Sequence, residues 1–140
     1  MRLKKFNFNK VKSTNDTAIR LIKSGIESGV VLADIQTKGK GQRGNKWISK
    51  KGNLFISIFF KVNSKLSLKK ITSINLSILK KIISSQIARK IYIKLPNDAL
   101  IYKKKVSGIL QEIMYKNNNK YLIIGIGINI ILSLIHIWRC

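Results

Sequence analysis

The sequence is poor in cysteine, histidine, proline and acidic residues, and these shortages exclude several classes of chemistry. The one cysteine, Cys140, cannot form an intrachain disulfide framework or a cysteine metal cluster. With a single histidine, His136, a histidine-based catalytic triad or zinc site is not expected. The one proline, Pro96, begins a Pro-Asn-Asp run that predicts a turn.

The scarcity of acids leaves a strong excess of positive charge. Five Asp and Glu residues stand against 28 Lys and Arg, which gives a net charge of +23. A charge of this sign and size suggests nucleic acid or another anionic surface as a partner. The lysines are spread along the whole chain, however, and Ile and Asn, which share A/T-rich codons with Lys, are also abundant. We therefore favour a compositional bias over a dedicated nucleic-acid surface.

Length and hydrophobic content predict one globular domain. The chain has 140 residues, of which 45% are hydrophobic, and this is enough for a core. No apolar run follows the basic N-terminus, so a signal peptide is not expected. Residues 121–138 carry no formal charge, but Gly125, Gly127 and Asn129 interrupt them and favour a buried strand over a membrane span. We expect a cytoplasmic protein without a membrane partner.

Periodicity and turn residues predict an α+β fold. Ser13 is placed to cap a helix that Gly25 ends, and a second amphipathic helix is predicted from Leu68 to near Arg89. The strands outnumber the helices, and the later ones are joined by short turns, one of them at 117–119. This pattern predicts a mixed, largely antiparallel sheet with the helices packed on one side. The predicted strands are 6–11, 30–36, 54–62, 91–95, 99–102, 106–115 and 121–130.

The most informative stretch is a glycine-rich basic loop at residues 36–47. Three of the nine glycines, Gly39, Gly41 and Gly44, lie within it. Glycines allow positive φ, and successive N–H groups in such a loop form a concave binding site for anions. Neighbouring cations strengthen this preference, so the loop is predicted to close over a phosphate or a carboxylate. The cations in the loop are Lys38, Lys40, Arg43 and Lys46.

Three common nucleotide-binding motifs do not fit this loop. Residues 39–44 match G-x-G-x-x-G, but no helix start follows them and no acid occurs between Asp34 and Asp98, so the dinucleotide fingerprint is excluded. A Walker A loop needs Lys and Ser or Thr after its last glycine, and Gly44 is followed by Asn45. The kinase motifs His-Arg-Asp and Asp-Phe-Gly are missing.

Five segments taken together resemble the biotin–protein ligases. They follow the order of that family at plausible spacings and cover residues 6–131, and the resemblance implies a catalytic fold similar to class II aminoacyl-tRNA synthetases. The segments are Ser-Thr-Asn at 13–15, the loop at 36–47, Lys-Leu-Pro-Asn-Asp at 94–98, the Lys-x-x-Gly-Ile-Leu-x-Glu strand at 105–112 and Gly-Ile-Gly-Ile-Asn at 125–129.

The resemblance implies that the enzyme joins biotin to ATP, forming biotinyl-5′-AMP, and then transfers biotin to a lysine of a carboxylase carrier domain. It also implies ATP and Mg²⁺ as requirements, and a homodimer is left open. The implied catalytic residues are Lys105, Lys40 and Arg43. The implied biotin-binding residues are Ser13, Thr14, Asn15, Gln36, Gly39, Lys40, Gly41, Gln42, Lys105 and Gly108. The implied ATP and adenylate residues are Arg43, Trp47, Lys94, Asn97, Asp98 and Asn129, and Asp98 is the implied metal ligand.

The chain departs from the family pattern within the motifs and at its ends. Lys40 and Gln42 stand where arginine is usual, and Leu95 replaces tryptophan. We expect residues 1–131 to be a catalytic domain that is incomplete at its C-terminus and residues 132–140 to be a non-native tail. We expect no helix-turn-helix domain before residue 1, and DNA is therefore not an expected partner. The alternatives left open are a lipoate or octanoyl transferase of the same fold, a basic nucleic-acid-binding module and an inactive truncated product.

Overall fold

The structure is a computed structural model that describes residues 2–63, 65, 67–87 and 90–130. One seven-stranded sheet forms its centre, with the strand order β1-β2-β3-β7-β6-β5-β4. The first two strands are parallel and every other neighbouring pair is antiparallel. The predicted mixed, largely antiparallel sheet is thus confirmed. The elements are β1 (Lys4–Val11), α1 (Thr14–Lys23), β2 (Ser28–Gln36), a 3-10 turn (Gln42–Gly44), β3 (Leu54–Val62), α2 (Leu68–Gln86), β4 (Tyr92–Lys94), β5 (Asp98–Ile101), β6 (Lys104–Lys116) and β7 (Asn119–Ile128).

Helix α1 begins and ends at the predicted signals. Ser13 has an extended backbone, and its Oγ accepts a hydrogen bond from the Asp16 N–H at 3.2 Å. At the other end Ser24 is the C-cap, and Gly25 follows with φ of 104°, a conformation that glycine adopts without strain. These caps hold the Ser13–Asn15 segment at the N-terminal end of the helix.

The two helices lie on opposite faces of the sheet, which corrects the prediction that both pack on one side. On β7, Leu122 and Ile124 belong to the core beneath α2. Tyr121 and Ile123, which alternate with them, belong to the core beneath α1. Successive residues of a strand point to opposite faces, so one strand serves both cores. The Ser13–Asn15 segment therefore shares a face with Gly125 and Gly127.

Several predicted boundaries shift by one to three residues. The β6–β7 turn consists of Asn117 and Asn118, at φ of 49° and 61°, and Asn119 already pairs with Lys116. Tyr102 belongs to the turn after β5 rather than to the strand. Helix α2 ends at Gln86, and Arg89, the predicted end, lies outside the described residues. So does the tail expected at residues 132–140.

Within the described part of the chain, no helix is long and apolar enough to cross a membrane.

Candidate active site

The glycine-rich loop joins β2 to β3 and is closed by its own backbone. The Trp47 N–H donates to the Gly39 carbonyl at 2.9 Å, and the Gly41 N–H donates to the Asn45 carbonyl at 2.6 Å. Arg43 takes a left-handed conformation with φ of 56°. Some of the loop N–H groups therefore form hydrogen bonds within the loop. Fewer of them remain to bind an anion than the glycine content suggests.

A small cavity lies where this loop meets the start of α1 and the glycines of β6 and β7. Its volume is about 40 Å³, which is room for a few water molecules and far less than biotin needs. Eleven residues implied by the resemblance line it together, namely Ser13, Thr14, Asn15, Gln36, Lys40, Gly41, Gln42, Trp47, Asn97, Lys105 and Gly108. Residues separated by up to 95 positions are thus brought to one place, although their roles stay predictions.

Neutral polar side chains form one end of this cavity. Gln36 Oε1 accepts from the Thr14 N–H at 2.7 Å, and Gln36 Nε2 donates to Ser49 Oγ at 2.9 Å. Asn15 is buried and its Nδ2 donates to Glu112 Oε2 at 2.9 Å. Ser57 Oγ lies 2.7 Å from Thr14 Oγ1. This end offers hydrogen bonds without net charge, which suits a neutral polar group of a ligand.

Lys40 reaches from the loop across the cavity to two acids on different elements. Its Nζ lies 2.6 Å from Asp16 Oδ1 on α1 and 3.2 Å from Glu112 Oε1 on β6. Partial burial lowers the pKa of the Lys40 ammonium, but the hydrogen bond to Asp16 and the charge of Glu112 outweigh it and raise the pKa above 10.5. Lys40 is therefore charged at neutral pH and ties the loop to both elements.

Lys105 and Trp47 occupy the other end of the cavity. Lys105 Nζ lies 2.9 Å from Asp98 Oδ1. The indole of Trp47 rests on the backbone of two paired glycines: a Cβ added at Gly127 would lie 2.5 Å from the ring, and one added at Gly108 would lie 2.9 Å from it. The indole Nε1 is buried and has no acceptor within the described part of the chain. Gly108 and Gly127 thus form a floor of bare backbone on which the flat indole ring rests.

The remaining predicted residues lie around this cavity rather than in it. Gly39 and Arg43 line a second, larger cleft of about 870 Å³ along the loop. Asn129 Nδ2 donates to the Lys105 carbonyl at 3.1 Å, so it supports the strand that carries Lys105. Lys94 is exposed, and its position on β4 is opposite Asp98 on β5 in the strand register. Lys94 therefore stands outside both cavities in this conformation.

Asp98, the predicted metal ligand, offers one carboxylate. Asn97, beside it, donates its Nδ2 to the Ile109 carbonyl at 2.9 Å. No group of three His, Cys, Asp or Glu side chains close enough to hold a metal occurs among the residues that the structure describes. A single carboxylate does not form a metal cage, but it fits a Mg²⁺ ion held chiefly by substrate phosphates and water.

Sequence reasoning missed several residues of the site. Glu112, Gly125 and Gly127 lay inside the motifs but were assigned no role, and Asp16 was not assigned to the site. Ser57 was missed altogether. Its one signal is that it is the only small polar residue in the apolar strand β3.

Comparison with known proteins gives a consistent result. The model of the biotin/lipoate A/B protein ligase family matches residues 7–129. The bifunctional ligase/repressor BirA of Escherichia coli is 31% identical over 126 residues, which are 85% of this chain and 38% of that protein. Among solved structures, the Aquifex aeolicus biotin protein ligase in complex with biotin and ATP has a TM-score of 0.73 at 31% identity, covering 89% of this chain and 51% of that one. The Leishmania major biotin protein ligase in complex with biotinyl-5-AMP has a TM-score of 0.66 at 28% identity, covering 91% and 57%.

These likenesses agree with the geometry of the cavity and with the order of the five motifs. The chain spans 38% of the length of the curated relative and about half of each solved structure. Within that span, the sheet and the two helices correspond to the catalytic fold. The chain belongs to the biotin/lipoate A/B protein ligase family and has the fold of a biotin protein ligase catalytic domain.

Proposed function

We propose that the protein is an ATP-dependent biotin–protein ligase. The observation that carries this proposal is the single cavity in which a neutral polar end, formed by Ser13, Thr14, Asn15 and Gln36, adjoins the two cations Lys40 and Lys105. Biotin has a matching polarity, with a neutral ureido group at one end and a carboxylate at the other. The complexes of the relatives with biotin, ATP and biotinyl-5-AMP support the same choice.

In the first step a carboxylate oxygen of biotin attacks the α-phosphorus of ATP. The bond from that phosphorus to the bridging oxygen breaks, pyrophosphate leaves, and biotinyl-5′-AMP remains. Two anions must approach each other, so cations fixed at the point of attack lower the barrier. Lys105 supplies this charge once its ammonium turns from Asp98 towards the reacting phosphate. Lys40 supplies a second charge from the loop.

In the second step the amine of a lysine on a biotin carboxyl-carrier domain attacks the acyl carbon of the mixed anhydride. An amide bond forms, AMP leaves with the bonding electrons, and the amine loses a proton. In this proposal the backbone of the loop and Arg43 remain close to the phosphate of the leaving AMP. Trp47 packs on the adenine after moving from the Gly108–Gly127 floor.

Mg²⁺ would lie on the phosphate side of the site. Asp98 would hold it together with the phosphate oxygens, and Asn97 and Asn129 would keep the adjoining strands in place. When bound, the ion neutralises phosphate charge and orients the leaving pyrophosphate. Lys94 and Asn129 are proposed to contact ATP from the rim of the site.

Biotin-dependent exchange of labelled pyrophosphate into ATP tests the proposal. We expect exchange with biotin and none with lipoate or octanoate, followed by transfer of biotin to a carrier domain. Exchange that depends on lipoate would instead identify the other branch of the family. Tight, salt-sensitive DNA binding without any exchange would overturn the enzyme proposal in favour of a nucleic-acid-binding module.

A further inference from the structure

Ser57 is a buried hydroxyl at the centre of β3 that the reaction above does not use. Its side chain has an exposed fraction of 0%. It faces α1, on the same side of the sheet as Phe55 and Phe59. Hydroxyls buried this completely need hydrogen-bond partners, and the partners of Ser57 both come from the Ser13–Asn15 segment.

The two contacts of Ser57 are short. Its Oγ lies 2.5 Å from Asn15 Oδ1 and 2.7 Å from Thr14 Oγ1. A hydroxyl has one proton to donate, and Asn15 Oδ1 has none. The contact with Asn15 is therefore made by the Ser57 proton. The Thr14 hydroxyl has one proton for two acceptors, Ser57 Oγ and Gln36 Oε1, which lies 3.1 Å away.

The remaining contacts of Asn15 fix its amide in one orientation. Its Nδ2 lies 2.9 Å from Glu112 Oε2 and 3.3 Å from the Leu110 carbonyl oxygen. Carboxylate and carbonyl oxygens only accept hydrogen bonds, so the nitrogen must face them and Oδ1 must face Ser57. Both amide protons are then in use. What Asn15 can still offer a ligand is an acceptor lone pair on Oδ1.

Space around Asn15 is equally restricted. A Cβ added at Gly125 would overlap Asn15 Oδ1, and glycine is the residue that avoids this overlap. The Asn15 amide is thus held by Ser57 on β3, by Glu112 on β6 and by the bare backbone of β7. Removing the Ser57 proton would free Oδ1 while leaving the two Nδ2 bonds in place.

We propose that Ser57 is a positioning residue for the substrate site. It fixes Asn15, and through the 2.7 Å contact it also fixes Thr14, so that both can accept a hydrogen bond from an N–H donor on the substrate. The identity of that substrate rests on the proposed function. The ureido group of biotin carries two N–H donors, whereas the dithiolane ring of lipoate carries none. Ser57 would therefore favour biotin over lipoate without touching either, and its loss should affect ligand binding rather than the chemical step.

Two variants and a matched control test this proposal. Ser57→Ala removes the hydroxyl, and Ser57→Thr restores it with a side chain that strands accommodate. Ser107→Ala is the control, because Ser107 is also 0% exposed and its Oγ donates to the Gly127 carbonyl at 2.8 Å on the other face of the sheet. Ser57→Ala should raise the KM for biotin about tenfold, the effect expected when a buried partner loses its hydrogen bond. The KM for ATP and kcat should stay near parent values, and Ser57→Thr should recover most of the biotin affinity.

A second measurement separates this proposal from the proposed function. NMR of protein labelled with ¹⁵N-asparagine follows the Asn15 side-chain amide without any ligand. Ser57→Ala should shift its signals and speed its hydrogen exchange, whereas Ser107→Ala should change neither. If the parent binds no biotin but the Asn15 signals respond as described, the positioning role stands and the proposed function fails. If the parent binds biotin, and Ser57→Ala leaves both the biotin KM and the Asn15 signals unchanged, the positioning role is overturned.

Discussion

Lys105 lies over Trp47, with its Nζ 4.9 Å from the centre of the indole ring. Lys105, which is proposed to meet the phosphate, and Trp47, which is proposed to pack on adenine, thus contact each other before any ligand binds. A partly exposed cation–π contact of this kind contributes about 0.5–1 kcal/mol. The indole also covers the floor formed by Gly108 and Gly127, which explains the small volume of the cavity. Entry of a ligand into this cavity therefore requires Trp47 to move.

Loss of the Lys105 ammonium should strongly slow adenylate formation without unfolding the protein. Lys105→Ala removes the cation proposed to meet the developing charge, and such losses typically lower kcat about 10²- to 10³-fold. Biotin-dependent pyrophosphate exchange measures the effect, and thermal unfolding checks the fold. Lys104→Ala is the matched control, because Lys104 is an exposed neighbour on the same strand. Near-normal exchange by Lys105→Ala would contradict the assignment.

A side chain at Gly127 should expel the indole from its floor. The added Cβ of Gly127→Ala would lie 2.5 Å from the Trp47 ring, a distance that real Cβ atoms do not adopt. We expect the Trp47 emission to shift to longer wavelength, measured with Trp138→Phe so that only one tryptophan emits. In Gly41→Ala the nearest atom is 3.4 Å away, so this control should leave the emission unchanged. Equal emission from both variants would show that Trp47 does not rest on Gly127 in solution.

Local signals predicted most of the elements. The cap at Ser13, the glycine after α1 and the turn before Asn119 are short-range features that turn and capping chemistry specify. The placement of the helices was not predictable in the same way. Residues 121–124 are all apolar, and a strand that is hydrophobic on both sides does not indicate which face each helix covers.

The residues of the site also fall into two groups, those that a local motif predicts and those that only the strand register brings into place. Thr14, Gln36 and Lys105 were found because each lies in a short motif. Ser57 was not found, because its contact with Asn15 spans 42 residues and depends on how β3 pairs with β7. Ser57 pairs with Gly125, and this register alone brings its hydroxyl beneath α1. Pairing register of this kind is set by the whole sheet rather than by any local pattern.

The ion pairs of Lys40 should stabilise the protein up to alkaline pH. Because the folded-state pKa of Lys40 is raised above 10.5, its contribution is fully present below that pH and is lost as the pH rises through the folded pKa. Since Lys40 and Asp16 are 36% and 49% exposed, the contribution should be at most about 1 kcal/mol. Urea unfolding of the parent and of Lys40→Met should therefore give a constant difference at neutral pH that shrinks above about pH 10.5. Lys38→Met, in the same loop, should show no such difference. A Lys40→Met difference that vanishes near neutral pH would refute the ion-pair explanation.

Ser13 combines a structural and a proposed binding role, and two substitutions separate them. Its Oγ accepts from the Asp16 N–H, which leaves the hydroxyl proton for a ligand. Replacing an N-cap serine by alanine costs about 1 kcal/mol of stability, whereas glycine costs only a few tenths. Ser13→Ala and Ser13→Gly should therefore differ in unfolding free energy but weaken biotin binding equally, because both lack the hydroxyl. Urea unfolding and equilibrium dialysis with biotin measure the two effects. Normal biotin affinity in Ser13→Gly would mean that Ser13 acts only as the cap of α1, and that the neutral end of the site begins at Thr14.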